Sequence, residues 1–251
     1  MKDFIKNVFA NIVAILLIGI VLFGFMILFF VASAMSGDQK PYVDSNSVLT
    51  LNFNGNVIDS YTEKEESIFD FGKSKDVLLL DVINAINNAK NDEKIKGISI
   101  EVDELPAGIT QVDDIRAAIE DFKKTGKFVY AYGNNMSQKS YYLASVADII
   151  YLNPVGMIEL KGMSTEVTFL KDFAAKYGIG VDVIRHGKFK AAVEPFIRND
   201  ISPENKEQLS TLLNDFWGNI STKIKASRKL DDATFKTAVD SLYGFMPELV
   251  V

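Results

Sequence analysis

Between Asn7 and Gly37 the chain carries no charged residue, and Ile12 to Ala32 is almost wholly Ile, Leu, Val, Phe, Gly and Ala. About 20 such residues cross a hydrocarbon layer as a helix, so this run predicts a transmembrane helix. Lys2 and Lys6 precede it, partly offset by Asp3. By the positive-inside tendency the N-terminus stays in the cytoplasm and everything after Gly37 lies outside, in a single-pass arrangement. Ala32-Ser33-Ala34 imitates a signal-peptidase site, and a cleaved export signal is the rival reading. The apolar run exceeds the roughly 7–15 residues of a signal h-region, which favours a retained anchor.

The pattern then changes period. Asp38 to Ser47 is a polar connector, and Val48 to Phe53 alternates apolar and polar positions as a half-buried strand does. Asp59 to Asp76 is charged and glycine-punctuated, an exposed loop. Val77 to Lys90 places Leu79, Val82, Ile83 and Ile86 on one helical face, and Ile95 to Val102 reads as a strand. Val112 to Lys123 repeats the helix and Lys127 to Tyr132 the strand. A further helix opens near Asn135 and leads into Ala147 to Gly156; then come a helix from Phe169 to Tyr177, Gly178 as its stop, and a strand from Val181 to Ile184. Ser202 is a natural cap, and Pro203 opens a long helix with Leu209, Leu212, Leu213, Phe216, Ile220 and Ile224 as its apolar stripe and Trp217 at the border. That stripe fits core packing or packing on a neighbouring subunit. Helices alternating with short apolar strands predict an α/β domain. The organisation is therefore residues 1–37 as cytoplasmic tip and anchor, 38–47 as linker, and 48–251 as the body.

Composition narrows the chemistry. The 251 residues are 48% hydrophobic, so about 210 residues outside the anchor can bury one core. The net charge of -6 comes without a basic block, which argues against nucleic acid. The chain has no cysteine, excluding disulfides, a thiol nucleophile and cysteine-held metal; with His186 as its one histidine, a metal site or a Ser-His-Asp triad is nearly excluded too. No Walker-type loop occurs, because Gly126-Lys127 lacks the upstream glycine. No cofactor is expected. His186 reads as a strand-end residue.

Two joints carry candidate chemistry. Asp103 to Gly108 leaves a strand and enters a helix, where a glycine such as Gly108 lets backbone N–H groups face a ligand or oxyanion; a plain turn is the plainer reading. From Val183 to Arg198 an apolar run breaks at Gly187 and sets Lys188 and Lys190 two residues apart before Ala-Ala-Val-Glu-Pro-Phe. Gly187 can take dihedrals closed to other residues, and Pro195 restricts Glu194. A lysine in a dry pocket loses its proton more readily and can serve as a base. On spacing alone, Lys188 and Lys190 remain surface residues.

The segment Gly187 to Arg198, continued by Asn199-Asp200-Ile201-Ser202-Pro203, resembles the catalytic-lysine segment of the signal peptide peptidase A (protease IV) family in its long two-domain bacterial form. The resemblance runs from the membrane segment to about Lys225. It implies a crotonase/Clp-protease-like fold, and it makes Lys190 the general base of a Ser-Lys dyad that degrades residual signal peptides at the bacterial cytoplasmic membrane. The family's Pro-Gly-Gly oxyanion turn is echoed here by Ala107-Gly108 alone. Aligning Tyr142 with the tyrosine after the family's nucleophile puts Lys139 at the serine position, with Ser137 and Ser140 nearby and better read as helix caps.

What the resemblance implies for partners follows. The family's long form has two tandem halves, and this chain reads as the N-terminal one, with the catalytic serine supplied by a C-terminal half or a partner subunit. Hydrophobic signal peptides are the expected substrates and a homo-oligomer the expected assembly. Two alternatives stand: a non-catalytic module that assembles with or regulates such a peptidase, and an acyl-CoA enzyme of the same fold, disfavoured by an outward-facing location.

Overall fold

The computed structural model describes residues 1–35, 42–60, 76–184, 187 and 190–249. These form two units, Met1–Asp44 and Ser45–Val251.

The first unit is helix α1 (Lys2–Met35). Within Lys2–Val31 an 18-residue window has mean hydropathy 3.2, and none of that window is buried within the protein. At 1.5 Å rise per residue, 30 residues reach about 45 Å, more than the roughly 30 Å hydrocarbon layer. The helix is long and apolar enough to cross a membrane.

The second unit is α/β. A parallel sheet in the order β1-β4-β5-β6 is formed by β1 (Ser47–Asn52), β4 (Ile95–Glu101), β5 (Phe128–Met136) and β6 (Ile149–Ile158). Helices α2 (Leu79–Asn91), α3 (Ile109–Lys123) and α4 (Gln138–Ala144) occupy the connections, the arrangement that parallel strands require. A small parallel pair, β2 (Val57–Ile58) with β3 (Val77–Leu78), precedes α2. The alternation read from Val48 to Phe53 is realised in β1, where Leu51 is buried while Thr50 and Asn52 are exposed. The core collects Ile98 and Ile100 of β4, Ile115, Ile119 and Phe122 of α3, and Ile86 of α2, all fully buried. Truncating any one of them to alanine should cost about 2–5 kcal/mol.

The end of the chain is helical. Helix α7 (Pro203–Arg228) starts at the expected Ser202 cap, whose hydroxyl accepts the Asn205 N–H at 3.1 Å. Its apolar stripe divides: Ile220 and Ile224 enter the core and Trp217 packs on it, whereas Leu212 and Phe216 remain exposed. Helix α8 (Asp232–Asp240), capped by Asp231, follows.

Two expectations need correction. Val181 to Ile184 is not a strand; the segment is irregular, and Ile184 is fully exposed, because no described strand lies beside it to complete a ladder. The helix expected from Phe169 shortens to α5 (Lys171–Lys176), with Gly178 in the left-handed region just after it. The loop expected over 59–76 lies largely outside the described residues, as do Lys188 and His186.

Candidate active site

The carboxyl ends of β4 and β5 are stitched to each other. The Asp103 carboxylate accepts the Asn135 N–H at 3.0 Å and the Asn134 N–H at 2.5 Å, while its own carbonyl accepts the Ser137 N–H at 3.0 Å. Burial opposes ionisation of Asp103, but these amide donors and the Asn134 side chain outweigh it and hold the carboxyl below the usual carboxylate range. A cleft of about 490 Å³ opens here, lined by Asn52, Glu101, Asp103, Glu104, Tyr132 and Asn134. In parallel α/β sheets this is the end at which ligands bind.

Next to the cleft, both sequence landmarks meet. Lys139, at the first turn of α4, donates from Nζ to the carbonyl of Ala107 at 2.5 Å. Gly108 is the N-cap of α3, and its N–H is taken by Gln111 Oε1 at 2.7 Å, so that amide closes a helix end instead of facing open space. Ser137 caps α4, its hydroxyl 3.3 Å from the Ser140 N–H and 2.8 Å from the Ser140 hydroxyl, and Ser140 is fully buried. Both serines are therefore engaged in starting the helix.

Gln138 had no signal in the sequence. Its side-chain oxygen accepts the Lys161 and Gly162 N–H groups at 3.1 and 3.0 Å, and its amide donates back to the Gly162 carbonyl at 3.1 Å. Gln138 thereby fixes the start of the segment that leads to Lys190.

Tyr142, the other landmark of α4, is fully buried and donates its phenol to Asp113, which also receives Lys223 Nζ at 2.9 Å and Asn219 Nδ2 at 3.0 Å. Burial and then the bond to Asp113 push the Tyr142 phenol upward. Burial works against the Asp113 carboxylate, yet the bonds from Tyr142, Lys223 and Asn219 hold it low. Beneath the ring lies Arg116, 1% exposed, whose guanidinium is 4.9 Å from the Tyr142 centroid and donates to the Ser145 hydroxyl at 2.8 Å and the Lys223 carbonyl at 3.3 Å. These bonds lock α4 to α3 and α7.

Lys190 is exposed and directly precedes a 3₁₀ turn, Ala191–Val193, which runs into α6 (Glu194–Ile197). Gly187, three residues earlier, has φ of 98°, a dihedral that favours glycine, as the sequence break suggested. Glu194 is buried, and its Oε2 accepts the Ser202 N–H at 3.2 Å and Asn205 Nδ2 at 3.1 Å. Among the described residues, no hydrogen bond or ion pair joins Lys190 to Ser137, Lys139 or Gly108.

Residues 121–243, which span α4, Lys190 and α7, match the profile of peptidase family S49. The chain carries a peptidase family S49 domain. It is 33% identical over 224 residues to Protease 4 of Haemophilus influenzae, covering 86% of this chain and 36% of that protein. Against Protease 4 of Salmonella typhi it is 38% identical over 165 residues, covering 64% of this chain and 27% of that one. It is also 33% identical over 177 residues to the chloroplastic serine protease SPPA of Arabidopsis thaliana, covering 70% of this chain and 25% of that one. The chain thus spans about a third or less of the length of these relatives. An enoyl-CoA hydratase/isomerase family protein of Silicibacter pomeroyi superposes with a TM-score of 0.25 at 13% identity, covering 68% of this chain and 85% of that one, a likeness too slight to bear on the S49 assignment.

Proposed function

We propose that this chain supplies the general-base lysine, Lys190, of a membrane-anchored serine peptidase that works by a Ser-Lys dyad. The S49 match over the segment that carries Lys190 is the observation that supports it. In this reading a serine hydroxyl attacks a peptide carbonyl while the neutral Lys190 amine takes the hydroxyl proton. The C–N bond then breaks, the lysine returns that proton to the leaving amine, and the acyl-serine ester is hydrolysed by water that Lys190 deprotonates in turn. Backbone N–H groups hold the oxyanion.

The serine comes from a C-terminal half or partner subunit, because Ser137 and Ser140 serve as helix-start residues and Lys139 holds the aligned position. The exposed apolar side chains near Lys190, among them Leu170, Phe173, Ile179 and Phe196, suit burial against that partner or a second copy of the chain in a homo-oligomer. The body sits on the outer side of the bacterial cytoplasmic membrane, where hydrophobic signal peptides left after secretion are the substrates. A non-catalytic, regulatory role in the same assembly is the second reading, favoured by the engaged serines. Hydrolysis of a fluorogenic peptide by the chain, with and without its serine-bearing partner, separates the two: the first reading requires turnover that depends on Lys190.

A further inference from the structure

We propose that Glu194 is a positioning residue for Lys190, an inference that rests on the Ser-Lys reading above. Glu194 is 1% exposed and the one buried carboxylate among the described residues. A carboxylate enclosed in this way has to be matched by donors, and among the described residues both come from the start of α7: the Ser202 N–H and the Asn205 side-chain amide.

Helix capping does not explain this arrangement. The Ser202 hydroxyl already accepts the Asn205 N–H, and Pro203 needs no partner at its nitrogen, so the first turn of α7 is served without Glu194. What the carboxylate adds is a dock for its own segment. Helix α7 is the fixed body, since Ile220 and Ile224 lie in the core. From there the path is short: Ser202 and Asn205 hold Glu194, and the single 3₁₀ turn Ala191–Val193 connects Glu194 to Lys190. The Leu170 N–H donates to the Pro195 carbonyl at 2.6 Å, a second tie on α6, the short helix that Glu194 begins. Lys190 itself is exposed, so the turn sets where its amine can reach.

The test uses the chain assembled with its serine-bearing partner and compares kcat and KM for wild type, Glu194→Ala, Glu194→Gln, Asn205→Ala and Lys190→Ala. Misplacing a reacting group by about 1 Å can cost on the order of 10²-fold, so Glu194→Ala should lower kcat per folded molecule by about tenfold or more with KM within about twofold. Glu194→Gln, which keeps an acceptor for the Ser202 N–H, should recover most of that loss. An unchanged kcat in Glu194→Ala, or glutamine no better than alanine, overturns the role. Should Glu194→Ala fail to fold, Asn205→Ala decides: it removes one of the carboxylate's donors and should lower kcat by about threefold at constant KM, again by displacing the reacting group, and wild-type kcat overturns the proposal. Retained turnover in Lys190→Ala would sink the Ser-Lys reading itself. Lost turnover there, with normal kcat in Glu194→Ala, sinks only the positioning role.

Discussion

Lys139 Nζ lies 2.5 Å from the Ala107 carbonyl, so a cation fills the corner between the β4–α3 turn and the start of α4. A lysine bonded to the carbonyl of that turn, beside a Gly108 N–H already taken by Gln111, makes a structural joint. Residues 1–251 alone should therefore show negligible peptidase activity in detergent. Robust turnover, abolished by Ser137→Ala or Ser140→Ala, would show that the nucleophile had been misplaced.

The capping role of Ser137 makes a separate prediction. Ser137→Ala removes the acceptor for the Ser140 N–H at the start of α4 and should lower stability by about 1 kcal/mol, read as a shift in the urea midpoint. Activity in the completed enzyme should be unchanged at a temperature where the variant stays folded.

Arg116 should matter more to stability than any exposed cation. Its side chain is buried among α3, α4 and α7, and its loss removes the bonds it donates to the Tyr142 and Lys223 carbonyls and to the Ser145 hydroxyl. At about 1.5–3 kcal/mol for each hydrogen bond from a charged group, Arg116→Ala should cost about 3 kcal/mol or more. A urea midpoint close to wild type would contradict this network.

Acid should release part of that network. Asp113 has a folded-state pKa below its unfolded value, so the stability it contributes is fully present above the ordinary carboxylate pKa of about 3.9 and is lost as pH falls through the lower folded value. Urea midpoints should be nearly level from pH 7 to about 5 and fall below about 4. Asp113→Asn should lower the neutral-pH midpoint and flatten the acid fall; an unaltered acid slope would count against it.

Much of this fold was legible because hydrophobic period does not depend on the neighbours. The strand at Ile95, the helix ending at Lys123 and the Ser202-Pro203 helix start are local patterns, and the structure keeps each within a few residues. Val181 to Ile184 failed because a strand is defined by its partner, which periodicity does not reveal. Among site residues, Gly187 was readable from the break it makes. Gln138 and Arg116 were not: their partners are backbone groups and hydroxyls from distant segments, and these leave no spacing in the sequence. The Glu194 carboxylate was visible as part of a motif, but its burial against Ser202 and Asn205 depends on how α6 folds back on α7.

Orientation is checked independently of chemistry. With Lys2 and Lys6 before an uncharged span, protease added to intact spheroplasts should digest the body and spare the N-terminal tip. Full protection of the body would reverse the assigned sidedness.

The central claim is that Lys190 moves a proton, and substitution of that one side chain in the serine-completed preparation tests it most directly. A general base contributes typically ~10²–10⁴-fold, so Lys190→Ala should reduce peptide turnover by at least that order while the urea midpoint holds, and Lys188→Ala should cost much less. Lys190→Arg should fail as well, because a guanidinium stays protonated and cannot accept the serine proton. Near-normal turnover in Lys190→Arg would mean that the residue supplies only positive charge, and it would contradict the Ser-Lys mechanism.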